Sequence, residues 1–370
     1  MAVLSVLRSQ HPHATIHVWC DRAFYAQTKN TIQGNDSDVK VEVILSGKFR
    51  RYSSLSIIEQ LLSFRTIVLP NIVDIFKIVA ATVQSFYKLI RWRPDVIFCK
   101  GGFVSLPVGY AASLLRIPVL LHDSDTHPGL ANRLLARTAT KIATGSTLDH
   151  YPYPLEKSIY VGIPLVKEYR VYTEDERQLF KRAIGFKDNK PLVLVTGGGL
   201  GSQKINHAVM ERLALLVATC NVMLVCGENN YKSLAKHSKT KRYADSFQLR
   251  SYVSTGMYKL MAAADLVVTR GGATTLLELA ALATPAVIIP NPYLTGSHQL
   301  KNAKEYEEEG AAVIVDEYEL DKNLDVLSDA IIAIMSDAAL QQRLSDSIKR
   351  LARPQAAKTV ARLIVESIRT

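Results

Sequence analysis

The stretch Asp265-Leu-Val-Val-Thr-Arg-Gly-Gly-Ala-Thr-Thr-Leu-Leu-Glu278 predicts how the second half of the chain folds. Asp265–Thr269 is a short apolar run typical of a buried strand, and the residues after the glycine pair follow a helical pattern. A strand that leads through a glycine turn directly into a helix is typical of doubly wound α/β domains, in which ligands bind beside that turn.

The same alternation of apolar runs and helical patterns extends over most of the chain and predicts parallel sheets with helices on both faces. We predict two doubly wound domains, residues 1–163 and 164–345, and a C-terminal helix, 346–370, that packs back on the first domain. The boundary is set where Tyr151-Pro-Tyr-Pro and Gly162-Ile-Pro164 interrupt the pattern. The predicted strands are Ala14–Trp19, Val39–Leu45, Asp95–Cys99, Pro118–Leu121, Lys141–Thr144, Ser158–Val161, Pro191–Thr196, Val222–Cys226, Phe247–Val253, Asp265–Thr269, Pro285–Ile289 and Ala311–Val315.

The composition and the net charge limit the kinds of partner that the chain is expected to bind. With 48% hydrophobic and 21% charged residues, the chain is typical of a folded globular protein and not of a disordered one. The net charge of +11 indicates either an anionic partner or a solvated basic surface. Nucleic acid is not expected as that partner, because the basic residues are dispersed and show no aromatic–basic motif. The four cysteines have no metal-ligand spacing, which predicts free thiols and no metal site.

Three glycine clusters each follow a predicted strand: Gly101-Gly102, Gly197-Gly198-Gly199 and Gly271-Gly272. A glycine turn before a helix lets backbone amides approach a phosphate, although each cluster alone is also compatible with a simple tight turn. None forms a GxGxxG or P-loop motif, which argues against a dehydrogenase or a nucleoside triphosphatase. Glu278 has two interpretations: it binds a ribose hydroxyl, or it completes a capping box with Thr275.

Five segments of the chain form a pattern that is specific when they are taken together: Lys100–Gly109, His122–Ala136, Gly197–Asn206, Arg270–Glu278 and His298–Ala303. In their order and spacing they resemble the bacterial MurG-type N-acetylglucosaminyltransferases of glycosyltransferase family 28. The resemblance implies two Rossmann-like domains facing across a cleft (the GT-B fold), no cofactor, and inversion at the anomeric carbon. It implies transfer of N-acetylglucosamine from UDP-N-acetylglucosamine to undecaprenyl-diphosphate-N-acetylmuramoyl-pentapeptide, a polyprenyl-diphosphate-linked acceptor, at the cytoplasmic face of the cell membrane.

By position, the resemblance also implies roles for individual residues. The resemblance implies that the diphosphate and ribose of the donor are bound by Ala273, Thr274, Thr275 and Glu278. It implies that the uracil contacts the backbone of Val253. Donor contacts are further implied for Asp125, Gly198, Gly199, Gln299 and Asn302. The acceptor diphosphate is assigned to Gly101 and Gly102.

The chain also departs from the family pattern. Asp125 replaces an amide, Gly199 replaces a serine, and Leu165-Val166 stands where an arginine is expected. The chain opens in a helical pattern, and the family's first strand and its glycine loop ending in a histidine have no counterpart. We therefore expect that the true beginning is missing and that activity is low. A non-catalytic binding homologue, and a transferase for another lipid acceptor, remain as alternatives.

Without that histidine, the general base has to come from the His122-Asp-Ser-Asp-Thr-His127 segment, in which His122, Asp123, Asp125 and His127 are weak candidates. The alternative is that these are loop residues whose partners are backbone groups.

A lipid acceptor implies contact with an anionic membrane surface. Lys48-Phe-Arg-Arg-Tyr52 and the stripe Ile72, Ile75, Phe76, Val79, Val83, Phe86 and Ile90 are the candidates, with Lys88, Arg91 and Arg93 beside the stripe. The same period of 3.6 residues is more often that of a helix face in a protein core. A membrane-spanning helix is not expected, because Asp74, Lys77, Gln84 and Lys88 interrupt the apolar run.

Overall fold

The computed structural model describes residues 1–47, 63–126, 128–186, 190–293 and 297–368. The chain divides into two compact units, one formed by Met1–Val166 with Gln355–Thr370 and the other by Lys167–Pro354. All twelve predicted strands are present. They are β1 (His17–Cys20), β2 (Lys40–Val43), β3 (Ile97–Cys99), β4 (Val119–Asp123), β5 (Lys141–Thr144), β6 (Ser158–Tyr160), β7 (Leu192–Thr196), β8 (Asn221–Val225), β9 (Phe247–Arg250), β10 (Leu266–Thr269), β11 (Ala286–Ile288) and β12 (Ala312–Ile314).

Helices connect nearly all of these strands, as parallel pairing requires. The first unit contains α1 (Ala2–Gln10), α2 (Tyr25–Gln33), α3 (Leu69–Trp92), α4 (Ser105–Leu114), α5 (Leu130–Leu135) and α17 (Ala356–Ile368). A π-helical turn, Phe64–Val68, precedes α3, and short 3-10 turns occur at Arg22–Phe24, Leu148–His150 and Leu155–Lys157. The second unit contains α6 (Glu174–Ala183), α7 (Gln203–Glu211), α8 (Leu213–Thr219), α9 (Glu228–Ala235), α10 (Ser238–Arg242), α11 (Met257–Ala263), α12 (Ala273–Leu282), α13 (His298–Glu308), α14 (Glu317–Lys322), α15 (Asp325–Ser336) and α16 (Ala338–Arg350).

The second unit is built on a six-stranded sheet with the order β12-β11-β10-β7-β8-β9, and every pair in it is parallel. The strands are apolar on both faces; Val193, Leu194 and Val195 are all fully buried. Continuous apolar strands of this kind are stable only when helices cover both faces of the sheet. The chain starts the sheet at its centre with β7 and builds outward in both directions, which is the doubly wound arrangement.

The first unit contains two parallel sheets, β1-β2 and β3-β4-β5-β6. In the described part of the chain, β1 is paired only with β2, and β3 is paired only with β4. Helix α1 spans both sheets, because Val3 packs in a cluster with Leu120 of β4, while Leu4 packs against the core beneath β1 and β2. The predicted helical opening of the chain is therefore present, and it ties the two sheets together.

Helix α3 is a long amphipathic helix whose apolar side faces outward. Its inner side packs on α4 and buries Ala81 and Leu89. Six members of the apolar stripe are exposed, from 41% for Ile72 to 70% for Phe76, and only Phe86 packs against the core. The interpretation of this stripe as a core face is therefore wrong. The exposed members are Ile72, Ile75, Phe76, Val79, Val83 and Ile90.

The interrupting charged residues do not make α3 too polar for a bilayer. By length and mean hydropathy, Thr66–Trp92 is apolar enough to cross a membrane, although buried core helices meet the same criterion. Lys77 pairs with Asp74, and Lys88 pairs with Glu42, so all three of the interrupting charges are neutralised within the unit. The residues Lys48–Tyr52, predicted to add a basic patch, lie outside the described residues.

The C-terminal helix α17 belongs to the first unit although the whole second unit precedes it in sequence. It packs against α1 and against β4 and β5, and it buries Val360, Ala361 and Leu363. Its core cluster joins residues from both ends of the chain, so the first unit is complete only when α17 is docked.

We expect Leu363→Ala to destabilise the first unit by about 2–5 kcal/mol, because the substitution leaves a cavity among well-packed neighbours. Leu363 is only 2% exposed. Lys358→Ala, an exposed position on the same helix, is the matched control and should change the free energy of unfolding by less than about 0.5 kcal/mol. Equal stability of the two variants in urea titration would contradict the proposed docking of α17.

Candidate functional site

The centre of the second sheet creates a site by its topology. Strands β7 and β10 lie side by side, and both end at the same edge of the sheet. The strand order reverses between them, so the loops after β7 and β10 diverge and leave a crevice where doubly wound domains bind ligands. These two loops carry Gly197–Gly199 and Arg270–Gly272, two of the three predicted glycine clusters.

Helix α12 begins at Ala273 and presents free amides to this crevice. Its N-cap is Gly272, which has no side chain to cap the helix, and the first backbone bond runs from Leu276 N to Gly272 O at 3.0 Å. The amides of Ala273, Thr274 and Thr275 therefore have no intrahelical partner. A side chain at Gly272 would meet nothing within 4 Å, so the space before the helix is open. Free amides and the positive end of the helix dipole favour an anion here.

The capping-box interpretation of Thr275 and Glu278 is wrong. A capping box needs its threonine at the N-cap, and Thr275 lies in the first turn of the helix, three residues after the N-cap Gly272. The interpretation requires Thr275 to precede the helix, whereas the helix already begins at Ala273 and its N-cap Gly272 has no capping side chain. Glu278 is thus not engaged as a capping residue.

The guanidinium of Arg270 links the two glycine loops through hydrogen bonds. One of its guanidinium nitrogens, Nη2, donates to Glu317 Oε1 at 2.7 Å and to Ser202 Oγ at 2.6 Å, and the other, Nη1, donates to Ile289 O at 3.0 Å. Ser202 caps α7 directly after the first glycine loop. Glu317 is 3% exposed, and removing one partner of such a buried pair typically costs about 3–5 kcal/mol. Arg270 is therefore committed to positioning the loops.

Gly271 has to be glycine because the α13 backbone runs against it. A Cβ there would lie 2.4 Å from the carbonyl oxygen of Gln299. Asn302, which is 4% exposed, donates from Nδ2 to Gly271 O at 2.9 Å, and Gln299 Oε1 accepts from Asn291 N at 2.9 Å. Both amide residues thus support the loops of the crevice, and their predicted donor contacts stay predictions.

Glu278 lies half-buried on α12 and accepts a hydrogen bond from the Tyr169 hydroxyl. Burial and the neighbouring carboxylate raise the pKa of Tyr169 above its ordinary value. Val253, predicted to contact uracil, lies half-buried three residues after the end of β9 and four residues before α11. Sequence reasoning missed Tyr169, Ser202 and Glu317, because each acts through a contact with a residue distant in sequence.

In the first unit, Gly101 and Gly102 follow β3 and both adopt positive φ angles, +83° and +86°. L residues rarely adopt this conformation, and a Cβ on Gly101 would also lie 2.9 Å from the side chain of Asn132. The space beside Gly102 is open. The turn is therefore fixed in shape and accessible, as a backbone site for a phosphate requires.

His122 is fully buried and saturated by internal partners. Its Nε2 lies 2.9 Å from the Gly162 carbonyl, which can only accept, so Nε2 carries the proton. Its Nδ1 therefore accepts from Ser124 Oγ at 3.2 Å. Burial lowers the pKa of His122 to about 4. A neutral imidazole with both nitrogens engaged is a structural link between β4 and residue 162.

Asp123 is likewise enclosed, while Asp125 is exposed. The Tyr153 hydroxyl donates to Asp123 Oδ2 at 2.6 Å, and Asn132 also hydrogen-bonds this carboxyl. Burial raises the pKa of Asp123 in spite of these partners. Of His122, Asp123 and Asp125, Asp125 is the one that can meet a substrate directly. His127 lies outside the described residues.

Within the described ranges, no group of three or more histidine, cysteine, aspartate or glutamate side chains is arranged to hold an ion. All four cysteines have free thiols, and Cys99, Cys220 and Cys226 are buried.

Two domain models of one family match the chain, and the N-terminal domain precedes the C-terminal domain in the sequence. The N-terminal domain of glycosyltransferase family 28 matches residues 35–144, and the C-terminal domain of that family matches residues 192–360. The second match contains β7, β10, α12 and the whole crevice between them.

Curated relatives match most of the chain. The UDP-N-acetylglucosamine–N-acetylmuramyl-(pentapeptide) pyrophosphoryl-undecaprenol N-acetylglucosamine transferase of Clostridium tetani is 31% identical over 304 residues, 81% of this chain and 78% of that protein. The protein of the same name from Clostridium botulinum strain Kyoto is 35% identical over 283 residues, 76% of this chain and 73% of that protein.

Solved structures share the fold. The crystal structure of Acinetobacter baumannii MurG superimposes with a TM-score of 0.68 at 23% identity, covering 99% of this chain and 94% of that one. Anabaena HepE in complex with UDP-glucose superimposes with a TM-score of 0.59 at 16% identity, covering 100% and 95%. The architecture is accordingly that of the GT-B glycosyltransferases, with two α/β units built on parallel sheets.

The buried His122 predicts a loss of stability in acid. Its pKa of about 4 in the folded protein lies below the ordinary 6.5, so the unfolded chain binds the extra proton first as the pH falls. The stabilising contribution is complete above pH 6.5 and is lost as the pH falls toward 4, by about 3 kcal/mol in all. His122→Gln should flatten this part of the stability curve relative to the wild type.

His13→Gln, at an exposed position in the same unit, is the control and should leave the curve unchanged. Denaturant titrations at pH 7, 6 and 5 give the comparison. Identical pH dependence in the wild type and His122→Gln would show that His122 is not held neutral by burial.

Proposed function

The chain belongs to glycosyltransferase family 28, and we propose from this membership and from the site that it makes a lipid-linked cell-wall precursor. It is a UDP-N-acetylglucosamine-dependent hexosyltransferase, and its substrates are those that its curated relatives are named for. The enzyme transfers N-acetylglucosamine to undecaprenyl-diphosphate-N-acetylmuramoyl-pentapeptide, converting lipid I to lipid II. Through lipid II the reaction belongs to peptidoglycan synthesis, and we propose that it thereby contributes to cell shape and division.

The observation that carries this proposal is the uncapped start of α12 at the reversal of strand order. A diphosphate there accepts hydrogen bonds from the amides of Ala273, Thr274 and Thr275 and lies at the positive end of the helix dipole. Glu278, one and a half turns further along the same helix, suits the ribose, because a carboxylate accepts hydrogen bonds from sugar hydroxyls. The backbone near Val253 is assigned to the uracil because of its position in the family pattern.

The proposed reaction is a single displacement. The acceptor hydroxyl attacks the anomeric carbon of N-acetylglucosamine, the bond from that carbon to the diphosphate oxygen breaks, and the configuration inverts. Negative charge grows on the leaving uridine diphosphate, where the amides of α12 stabilise it. The hydroxyl proton passes to a base, and among the candidates that the structure describes we assign this role to Asp125, because His122 and Asp123 are enclosed.

For the acceptor, we propose that the turn of Gly101 and Gly102 binds the diphosphate through its backbone. Both glycines have positive φ angles, and a side chain at Gly102 would meet nothing within 4 Å, so a diphosphate can approach the backbone of this turn. The polyprenyl chain remains in the bilayer, so the first unit has to operate at a membrane surface.

We propose that the exposed face of α3 supplies the peripheral contact with the cytoplasmic face of the cell membrane. Six apolar side chains are exposed there in a helix that otherwise packs on α4. Arg91 and Arg93 are exposed at its C-terminal end, next to the apolar face, where they suit anionic headgroups. The buried inner side, including Ala81 and Leu89, favours a helix that lies on the bilayer rather than one that spans it.

Glu278→Gln should weaken UDP binding by about 1.5–3 kcal/mol, roughly ten- to hundredfold, because a hydrogen bond to a charged acceptor is lost. Transfer from UDP-N-acetylglucosamine to a lipid I analogue should fall with it. Glu309→Gln, an exposed change in the same unit, is the control and should leave both unchanged. Unaltered UDP affinity of Glu278→Gln in calorimetry, at unaltered melting temperature, would exclude the ribose role.

Phe76→Asp combined with Val79→Asp should reduce binding to vesicles that contain phosphatidylglycerol, since it places two charges on the apolar face of α3. Binding of the wild type should weaken as salt is raised from about 0.05 to 0.5 M. Leu179→Asp, an equally exposed apolar position in the second unit, is the control. Equal sedimentation of wild type and double variant would contradict the docking face.

A further inference from the structure

The first residues of the second unit are anchored by a cluster of aromatic rings. The ring of Tyr258 on α11 lies 6.2 Å from Tyr169, 6.4 Å from Tyr172 and 6.4 Å from Phe180 of α6, measured between centroids. Tyr172 and Phe180 also meet edge to face at 5.0 Å. These contacts fix the segment after Val166 against α6 and α11.

Tyr169 differs from the other members in where its hydroxyl points. The hydroxyl of Tyr172 donates to the backbone carbonyl of Glu168 at 2.7 Å, inside the same segment. The hydroxyl of Tyr169 instead hydrogen-bonds the Glu278 carboxylate on α12, more than a hundred residues away in sequence. Since α11 also packs on α12, the ring and the hydroxyl of Tyr169 contact two adjoining helices.

We infer that Tyr169 is a positioning residue that orients the Glu278 carboxylate toward the ribose hydroxyls of the bound uridine nucleotide. The inference rests on the proposed role of Glu278 in nucleotide binding. One phenol occupies only part of a carboxylate, which offers about four acceptor positions. The remaining positions stay available to the sugar while Tyr169 stays bound.

The arrangement has a physical advantage over a free glutamate. An unrestrained glutamate side chain loses rotamer freedom when it binds a ligand, whereas one already held by a charge-assisted hydrogen bond loses less. Preorganisation of this kind increases affinity without a new contact to the ligand. Burial and the carboxylate raise the pKa of Tyr169, so the phenol remains a donor at physiological pH.

Tyr169→Phe tests the inference, because it removes the hydroxyl and keeps the ring in the cluster. The probes are UDP and 2′,3′-dideoxy-UDP, which lacks both ribose hydroxyls, and their affinities are measured by calorimetry. We expect wild-type protein to prefer UDP. Tyr169→Phe should lower UDP affinity by about three- to tenfold and leave the affinity for the dideoxy analogue unchanged, so that the preference shrinks.

Tyr172→Phe is the matched control, since it removes a hydroxyl from the same cluster that does not reach Glu278. Both affinities should equal those of the wild type. A preference for UDP that is the same in Tyr169→Phe as in wild type would overturn the inference. An equal loss of affinity for both nucleotides would also overturn it, because Tyr169 would then act on the fold of the site as a whole.

Failure of the premise, the role of Glu278 in binding the ribose, would give a different result from failure of the inference about Tyr169. If wild-type protein binds UDP and the dideoxy analogue equally, Glu278 does not read the ribose, and the proposed nucleotide geometry fails before Tyr169 is considered. Melting temperatures of both variants within about 2 °C of wild type confirm that the comparison is made on folded protein.

Discussion

The proposed nucleotide site depends on the contact between β7 and β10 at the centre of the second sheet. Because the order of strands reverses between these two neighbours, the loops that follow them diverge and their helices lie on opposite faces of the sheet. The diverging loops need a link to keep a fixed separation. Arg270 supplies it by bonding Ser202 of one loop and Glu317 beyond β12 at the same time. The crevice is thus a rigid consequence of topology and of one buried ion pair.

The absence of a capping side chain at α12 fits the proposed binding of a diphosphate. A serine or aspartate at position 272 would satisfy one of the free amides and contribute about 1 kcal/mol to the stability of the helix. Glycine leaves Ala273, Thr274 and Thr275 with unpaired amides and open space before them. We propose that the lost stability is recovered when a diphosphate accepts hydrogen bonds from the same amides. Gly271, in contrast, serves packing, since the backbone of Gln299 runs against it.

Much of this architecture could be predicted from the sequence alone. The exceptions are features for which the neighbouring residues carry no signal. Strands such as Leu192–Thr196 are apolar on both faces, so short apolar runs identify them without further information. The start of α12 is not evident from the sequence, because its N-cap Gly272 has no capping side chain. The burial of His122 depends on the carbonyl of Gly162, forty residues away, and the hydroxyl of Tyr169 meets Glu278 across an even longer separation.

Amphipathic patterns show the same limit. The period of 3.6 residues in α3 correctly predicts a helix but not which side of it is buried, because small and polar residues such as Ala81 and Ser85 form the inner side. The charges on α3 cannot be interpreted from the helix sequence alone either, because the partner of Lys88 is Glu42 of β2. Periodicity reports the existence of two faces, and only tertiary packing decides which of them meets solvent or lipid.

The most direct test of the proposed nucleotide site is a crystal structure of the protein with UDP bound. We expect the diphosphate at the start of α12, within hydrogen-bond distance of the amides of Ala273, Thr274 and Thr275. The ribose hydroxyls should lie on the Glu278 carboxylate, with the Tyr169 hydroxyl still bound to that carboxylate. A diphosphate held elsewhere, or a ribose that does not touch Glu278, would contradict the proposed site.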